Sequence, residues 1–303
     1  MKDIDRTNDF EQRLVAFHGG KPLSEKVVLE GVTDLEYSLT KRFNDRVTHQ
    51  TEAADDLKKM QAPIYDLIAN NKLVAEGLQG FQKMNARLGE RRITPPPSPA
   101  TKIAPRIMPG SILSVLSTPY DYQWTSGAQR RSGFAGENAQ KTEGTALVYA
   151  TGNSDGSASA SAGIGKYFRP ISENAFVRFT PLVKYNYFWY DRSTYLTAHN
   201  DGYVGVFIQS FDLNGGDRRT EVDIRPPLWS DGTSWFQDHR DEQDGTIWPP
   251  SETVYFPATS NRQYIVWVWC NVSCDDNTNN LGSSYAVANL GMRVNLMFFE
   301  QYT

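Results

Sequence analysis

Arg262 to Cys270 reads RQYIVWVWC, and a strand written there is apolar on both faces, with Tyr264, Val266 and Val268 on one and Ile265, Trp267 and Trp269 on the other. Such a strand is central and covered on both sides, or its outer face meets a neighbouring subunit. Around it the chain alternates with period two. From Ala286 to Phe298 the even positions are Ala286, Ala288, Leu290, Met292, Val294, Leu296 and Phe298, opposite Asn289, Arg293 and Asn295. Val204, Val206 and Ile208 repeat the pattern, as do Leu147 with Tyr149 and Val177 with Phe179. Turn signals punctuate these runs at Asn153 to Gly156, Asn200 to Gly202, Asn214 to Gly216 and Asp231-Gly232. No strand, helix, strand alternation appears there, so a parallel sheet is not expected. Residues 111–303 are expected to form an antiparallel β-sandwich of jelly-roll type.

The front of the chain is written differently. A 3,4 spacing runs through Gln50, Ala53, Leu57, Met60, Ile64, Leu67, Asn71, Val74, Leu78, Phe81, Asn85 and Leu88. That stripe is the pattern of a coiled-coil seam, and Val32, Leu35, Leu39, Phe43 and Val47 extend it upstream with spacings nearer four. Asn71 and Asn85 on the seam would fix register, and apolar Ala54, Ile68, Ala75 and Met84 beside it favour three strands over two. Pro63 either kinks one long helix or begins a second helix that folds back as a hairpin against the head. The expectation is an α+β chain in four parts: an extended arm at 1–24, a helical oligomerisation region at 25–92, a Pro-rich linker at 93–110 and the sandwich head. Leu57, Met60, Ile64, Leu67, Asn71, Val74, Leu78, Phe81, Asn85 and Leu88 are the expected oligomer contacts.

Composition narrows the classes of function. With 31 basic and 35 acidic residues the formal net charge is -4, which offers no excess to neutralise phosphates, so nucleic acid is not an expected partner. The start, MKDIDRTNDFEQRL, has no apolar run for a secretory signal, and no segment approaches ~18 consecutive apolar residues. A soluble protein made in the cytoplasm is expected, reaching an extracellular particle only by another route. Cys270 and Cys274 exclude a disulfide framework and read as two buried thiols or one local bridge.

The richest polar segment is Leu228 to Pro250, LWSDGTSWFQDHRDEQDGTIWPP. Aromatic faces beside carboxylates suit a sugar, which offers a C–H face to stack and hydroxyls to bond. Trp229, Asp231, Trp235, Asp238, Asp244 and Trp248 are the candidate ligand residues, against the plainer reading that the tryptophans anchor the segment. Asp238 and Asp244 are also the candidate pair for glycoside hydrolysis. Asp275 to Asn280 is an oxygen-rich turn, Asn271-Val272-Ser273 matches the glycosylation sequon, and Ser157 to Gly165 alternates serine with alanine like a small amphipathic hairpin. The scattered histidines and the lack of nucleophile, phosphate-loop or zinc motifs point to no enzyme, no cofactor and no metal.

Together these features predict a non-enzymatic homo-oligomer, a trimer by the seam, whose helices present β heads to a cell-surface glycan or protein, as fibre, adhesin or coat subunits do. A membrane-active pore former and a glycan-degrading enzyme are the alternatives.

Overall fold

The structure, a computed structural model, describes residues 22–69, 71–73, 93–97, 110–153, 155–194, 196–234, 237–247, 253–277 and 284–302, with positions 76, 80, 83 and 87; the side chains of 64–69 and 246–247 fall outside it. Among the described residues one continuous helix, α1 (Glu25–Ala69), precedes thirteen strands, and positions 72, 73, 76, 80, 83 and 87 are also helical. These are β1 (Ile112–Leu116), β2 (Tyr122–Arg130), β3 (Phe134–Gln140), β4 (Thr145–Asn153), β5 (Ser157–Phe168), β6 (Ala175–Ser193), β7 (Thr197–Asp212), β8 (Arg219–Ile224), β9 (Pro227–Ser234), β10 (Gln237–Ile247), β11 (Val254–Ala258), β12 (Arg262–Asp276) and β13 (Tyr285–Tyr302).

They form two antiparallel sheets. The first runs β10-β6-β13-β4-β3, with β1 on β13 and β11 on β6; the second runs β2-β5-β12-β7-β8, with β9 on β7. The long strands β4 to β7 alternate between the sheets, as do β12 and β13, giving a double Greek-key winding. Between the sheets lies a core of Tyr264, Val266, Val268 and Cys270 from β12 with Ala288, Leu290, Met292 and Val294 from β13. The even-position pattern of β13 holds only as far as Val294. A bulge between Val294 and Leu296 then exchanges the faces, so that Met297 and Phe299 enter the core.

The outer face of the second sheet explains the doubly apolar strand. Ile265, Trp267 and Trp269 point away from the core and are fully buried under α1, against Val28, Val32, Leu35 and Leu39. Each tryptophan on this face lies across a glycine directly opposite on the neighbouring strand: Trp124 over Gly163, Trp267 over Gly165 and Trp269 over Gly205. A Cβ on any of the three glycines would sit 2.3–2.6 Å from the facing ring. The glycines let the indoles lie flat, and the flat layer receives the helix. Polar ties flank it: Gln209 Nε2 donates to Gly31 O at 2.5 Å, Tyr122 Oη to Leu23 O at 2.8 Å, and Arg218 pairs with Asp34 at 2.9 Å.

This packing corrects the expected fold class. The helical hairpin and the coiled coil are replaced by a single helix that continues through Pro63 and lies along its own sandwich. Its buried stripe is Val28, Val32, Leu35, Leu39, Phe43, Val47, Ala54 and Gln61, which follows the expected upstream stripe as far as Val47 and then lies one position away from the expected seam. Of the seam residues, Leu57 is half-buried, Met60 is 71% exposed, and Asn71 lies beyond the helix, its Oδ1 accepting the Leu73 N–H at 3.0 Å. Val74, Leu78, Phe81, Asn85 and Leu88, and the side chains of Ile64 and Leu67, lie outside the described residues. Residues 93–97 of the Pro-rich segment rest on the outer face of the first sheet, where Asn186 Nδ2 donates to Thr94 O at 2.6 Å and Arg293 Nε to Pro96 O at 2.7 Å.

The serine-alanine segment is β5, paired along its length with β2 and β12 and buried at every position. Its alanines face the core opposite β3 and β4, and not the β6 aromatics Tyr185, Tyr187 and Trp189, which lie opposite β7 and β9; it is an inner strand and not a hairpin poised to enter a membrane. No described helix is long and apolar enough to cross a membrane. Replacing Leu35, 1% exposed on the docked face, with alanine is expected to cost about 2–5 kcal/mol in urea unfolding. Tyr37→Ala, at a residue that is 69% exposed, should stay within about 0.5 kcal/mol of the parent chain.

Candidate functional site

Trp229 belongs to the core. Its ring packs on Tyr187 at 4.6 Å, lies over Gly202 of β7, and its Nε1 donates to Asn200 Oδ1. The polar segment from Leu228 forms two strands, β9 on β7 of the second sheet and β10 on β6 of the first. Trp235 and Trp248 lie outside the described residues. Asp231 bonds His239 Nδ1 at 2.8 Å, while Asp238 and Asp241 accept the hydroxyls of Tyr190 (3.2 Å) and Tyr187 (2.8 Å). Asp238 and Asp244 stand six residues apart on one strand, about 20 Å along it. Glycosidase carboxylates need roughly 5–9.5 Å, so these two are not a hydrolytic pair. The exposed acids of β10 instead mark the open edge of the first sheet, where charge discourages pairing with another chain.

The more concave site lies where α1 crosses the strand ends. The outer face of β12 turns from Trp267 and Trp269 to Asn271, Ser273 and Asp275, and the helix stripe turns there to Arg42 and Arg46. Asn271 Nδ2 bonds Ser159 Oγ, Ala160 O and Ser161 Oγ at 2.9–3.0 Å, which makes the sequon asparagine a buried tie between strands. Arg42 lies over the Tyr203 ring at 4.6 Å. Arg46 pairs with Asp201 and, at 3.1 Å, with Asp275, and Asp201 also accepts the Ser273 hydroxyl at 2.5 Å. Arg46 thus latches the helix to two strands by a buried ion pair.

Burial dominates the electrostatics of this cluster. It pushes the Asp275 carboxyl up to about 7 despite Arg46, and raises Asp191 and Asp276 well above the carboxylate range. His199, 4.0 Å from Asp275, is held down to about 4 by burial and then by Arg46, so it is neutral near pH 7. The thiols of Cys270 and Cys274 are buried, unbridged and pushed up by burial. Among the described residues no group of three acidic, histidine or cysteine side chains has the geometry to hold a metal ion.

Above the latch opens a cleft of about 400 Å³ between α1, the β2–β3 and β4–β5 turns and the end of β12. Gln50 and Thr51 form one wall and Arg130, Arg131 and Asp155 the other, with Asn277 at the strand end. Asp155 is fixed by Arg131 (3.4 Å), by Lys58 of the helix (3.6 Å) and by its own N–H, which donates to Asp276 at 3.3 Å. Gln50 Oε1 is buried with no hydrogen-bond partner. The sequence does not mark these residues as one site: Gln50 reads as part of the helical stripe, Asp155 and Asn277 as turn residues, and the others as ordinary surface types until the helix brings the segments together.

No protein-family model matches the chain, and no curated protein matches it either. Among solved structures it is similar to TmCBM61 in complex with β-1,4-galactotriose, at 12% identity over 54% of this chain and 89% of that one, with a TM-score of 0.16. A family 11 carbohydrate-binding module from Clostridium thermocellum, in complex with a mixed-linked tetrasaccharide, gives 14% identity over 56% and 89%, with a TM-score of 0.16. The VP2 subviral particle of infectious bursal disease virus gives 11% identity over 68% and 41%, with a TM-score of 0.17. At TM-scores this low, none of the three lends its function to this chain.

Arg46→Ala leaves Asp201 and Asp275 buried without their cation, and should cost about 3–5 kcal/mol in urea unfolding. The pH dependence has a definite sign. Asp275, Asp191 and Asp276 hold protons more tightly in the fold, so their contribution is lost as pH rises toward and through about 7; His199 acts oppositely, its contribution completed as pH rises to about 6.5. The denaturation midpoint should therefore be higher at pH 5.5 than at pH 8, and Asp275→Asn should reduce that difference.

Proposed function

We propose that this chain is a non-enzymatic recognition protein whose cleft between α1 and the strand-end turns holds a polyhydroxylated ligand, a glycan segment. The observation that carries this reading is the cleft wall itself. It sets the donors of Arg130 and Arg131 against the carboxylate of Asp155, with the amide of Gln50 on the facing wall. A ligand that donates and accepts at closely spaced hydroxyls satisfies both sets, whereas a simple anion or cation satisfies only one. The volume falls within the usual range of small-ligand sites, and the ion pairs around Asp155 hold the wall in place before binding.

One feature favours binding over catalysis. Asp275 has the shifted carboxyl expected of a general acid, but both its oxygens are sealed from solvent behind Arg46. Recognition by a single chain is the form proposed, since the helix once expected to build a stalk spends its apolar face on the sandwich. The test is a glycan array probed with the labelled chain, followed by Gln50→Ala and Arg131→Ala. Each substitution should weaken the strongest hit by about tenfold, the loss of one or two well-placed hydrogen bonds. Unchanged binding by both variants would remove the cleft from consideration.

A further inference from the structure

The structure assigns a second ligand surface, an aromatic stacking site for a sugar ring on the outer face of the first sheet, formed by Phe176 and Tyr255. It rests on the glycan reading for its ligand class alone and is independent of the cleft. Phe176 of β6 and Tyr255 of β11 are 48% and 55% exposed, and their rings lie 6.0 Å apart with planes only 19° from parallel. Their neighbours Val177, Phe179, Val254 and Phe256 face the core, which fixes the two rings on the opposite, solvent side.

The row beneath them is charged and rigid. Tyr255, Arg178 and Glu300 are cross-strand partners on β11, β6 and β13. Arg178 Nη1 donates to Glu300 Oε2 at 3.0 Å, and Ser111 Oγ donates to the other oxygen of Glu300 at 2.5 Å. Glu300 is 3% exposed. The guanidinium, with five N–H groups in a fixed fork, can serve Glu300 and a ligand hydroxyl together.

The size of the apolar surface chooses the occupant. A stable protein partner covers about 800 Å² per side with several apolar anchors, whereas here two rings stand beside an ion pair. Two near-parallel rings with an adjoining hydrogen-bonding fork match one or two pyranose units, whose C–H faces stack and whose hydroxyls bond. The surface lies at the Tyr302 end of β13, which pairs with Phe176, while the cleft lies near the other end, where Tyr285 pairs with Asn153. One chain could engage a polysaccharide at two separated points, or two strands of it.

Affinity electrophoresis of the full chain through native gels containing galactan, β-glucan, mannan or xylan tests this. The parent chain should be retarded by at least one of them. Phe176→Ala and Tyr255→Ala should each weaken that retardation about tenfold, while Tyr255→Phe, which keeps the ring, should retain it. Both residues are half-exposed, so unchanged thermal melting certifies the fold of each variant; if one fails, the other carries the test. The double variant Gln50→Ala/Arg131→Ala separates the two sites: its normal retardation, alongside loss in the ring variants, supports the second surface even if the cleft proposal has failed. Retardation unaffected by removal of either ring overturns the inference. So does absence of retardation in all four gels, including the case in which the chain instead sediments with phosphatidylcholine vesicles.

Discussion

The structure depends on covering the outer face of the second sheet. A strand with tryptophan and isoleucine on its outer side cannot remain wet, because each such side chain loses about 1.5–3 kcal/mol of burial when left in water. The protein solves this with glycine. Gly163, Gly165 and Gly205 give up their own side chains so that Trp124, Trp267 and Trp269 can lie flat across neighbouring strands. A flat aromatic layer accepts a straight helix, and Val28, Val32, Leu35 and Leu39 supply the cover. The sheet is thus sandwiched between its partner sheet and α1, which is why β12 is apolar on both sides.

The same contact line changes chemistry along its length. Where the sheet face turns from indole to Asn271, Ser273 and Asp275, the helix turns from leucine to Arg42 and Arg46. A buried guanidinium between two aspartates adds little net stability compared with apolar packing, but it fixes where along the sheet the helix must stop sliding. Register matters for function. Only in that register do Gln50 and Thr51 stand opposite Arg131 and Asp155 and enclose the cleft.

Much of the fold was legible in the alternation. The inner faces of β5, β7 and β12 can be read from the sequence, as can the choice of a two-sheet antiparallel architecture. Three features were not. The helical stripe has two nearly equivalent phases between residues 50 and 61, and sequence spacing preferred Ala53, Leu57 and Met60, whereas the sandwich buries Ala54 and Gln61. A single added residue after Val294 reversed the faces of β13, an event that leaves no periodic trace. And the choice between a sister chain and the chain's own helix as the cover for RQYIVWVWC is not a local property. Each tryptophan meets a glycine from a distant strand, and that pairing becomes a signal only once the register is known. The candidate sugar residues failed in a similar way at Trp229, which packs over Gly202 in the core, while the exposed ring pair of Phe176 and Tyr255 sits in stretches that look like ordinary strand.

The central claim is that the helix covers the sheet of its own chain. Glu25 lies 3.7 Å from Lys141 and Lys58 lies 3.6 Å from Asp155, so a zero-length carboxyl-to-amine cross-linker should join both pairs. If light and heavy isotope-labelled chains are unfolded, mixed, refolded and cross-linked, mass spectrometry should find both linkages only between peptides of the same label. A substantial share of light-to-heavy linkages at these two pairs would mean that the cover comes from another copy, and would contradict the account.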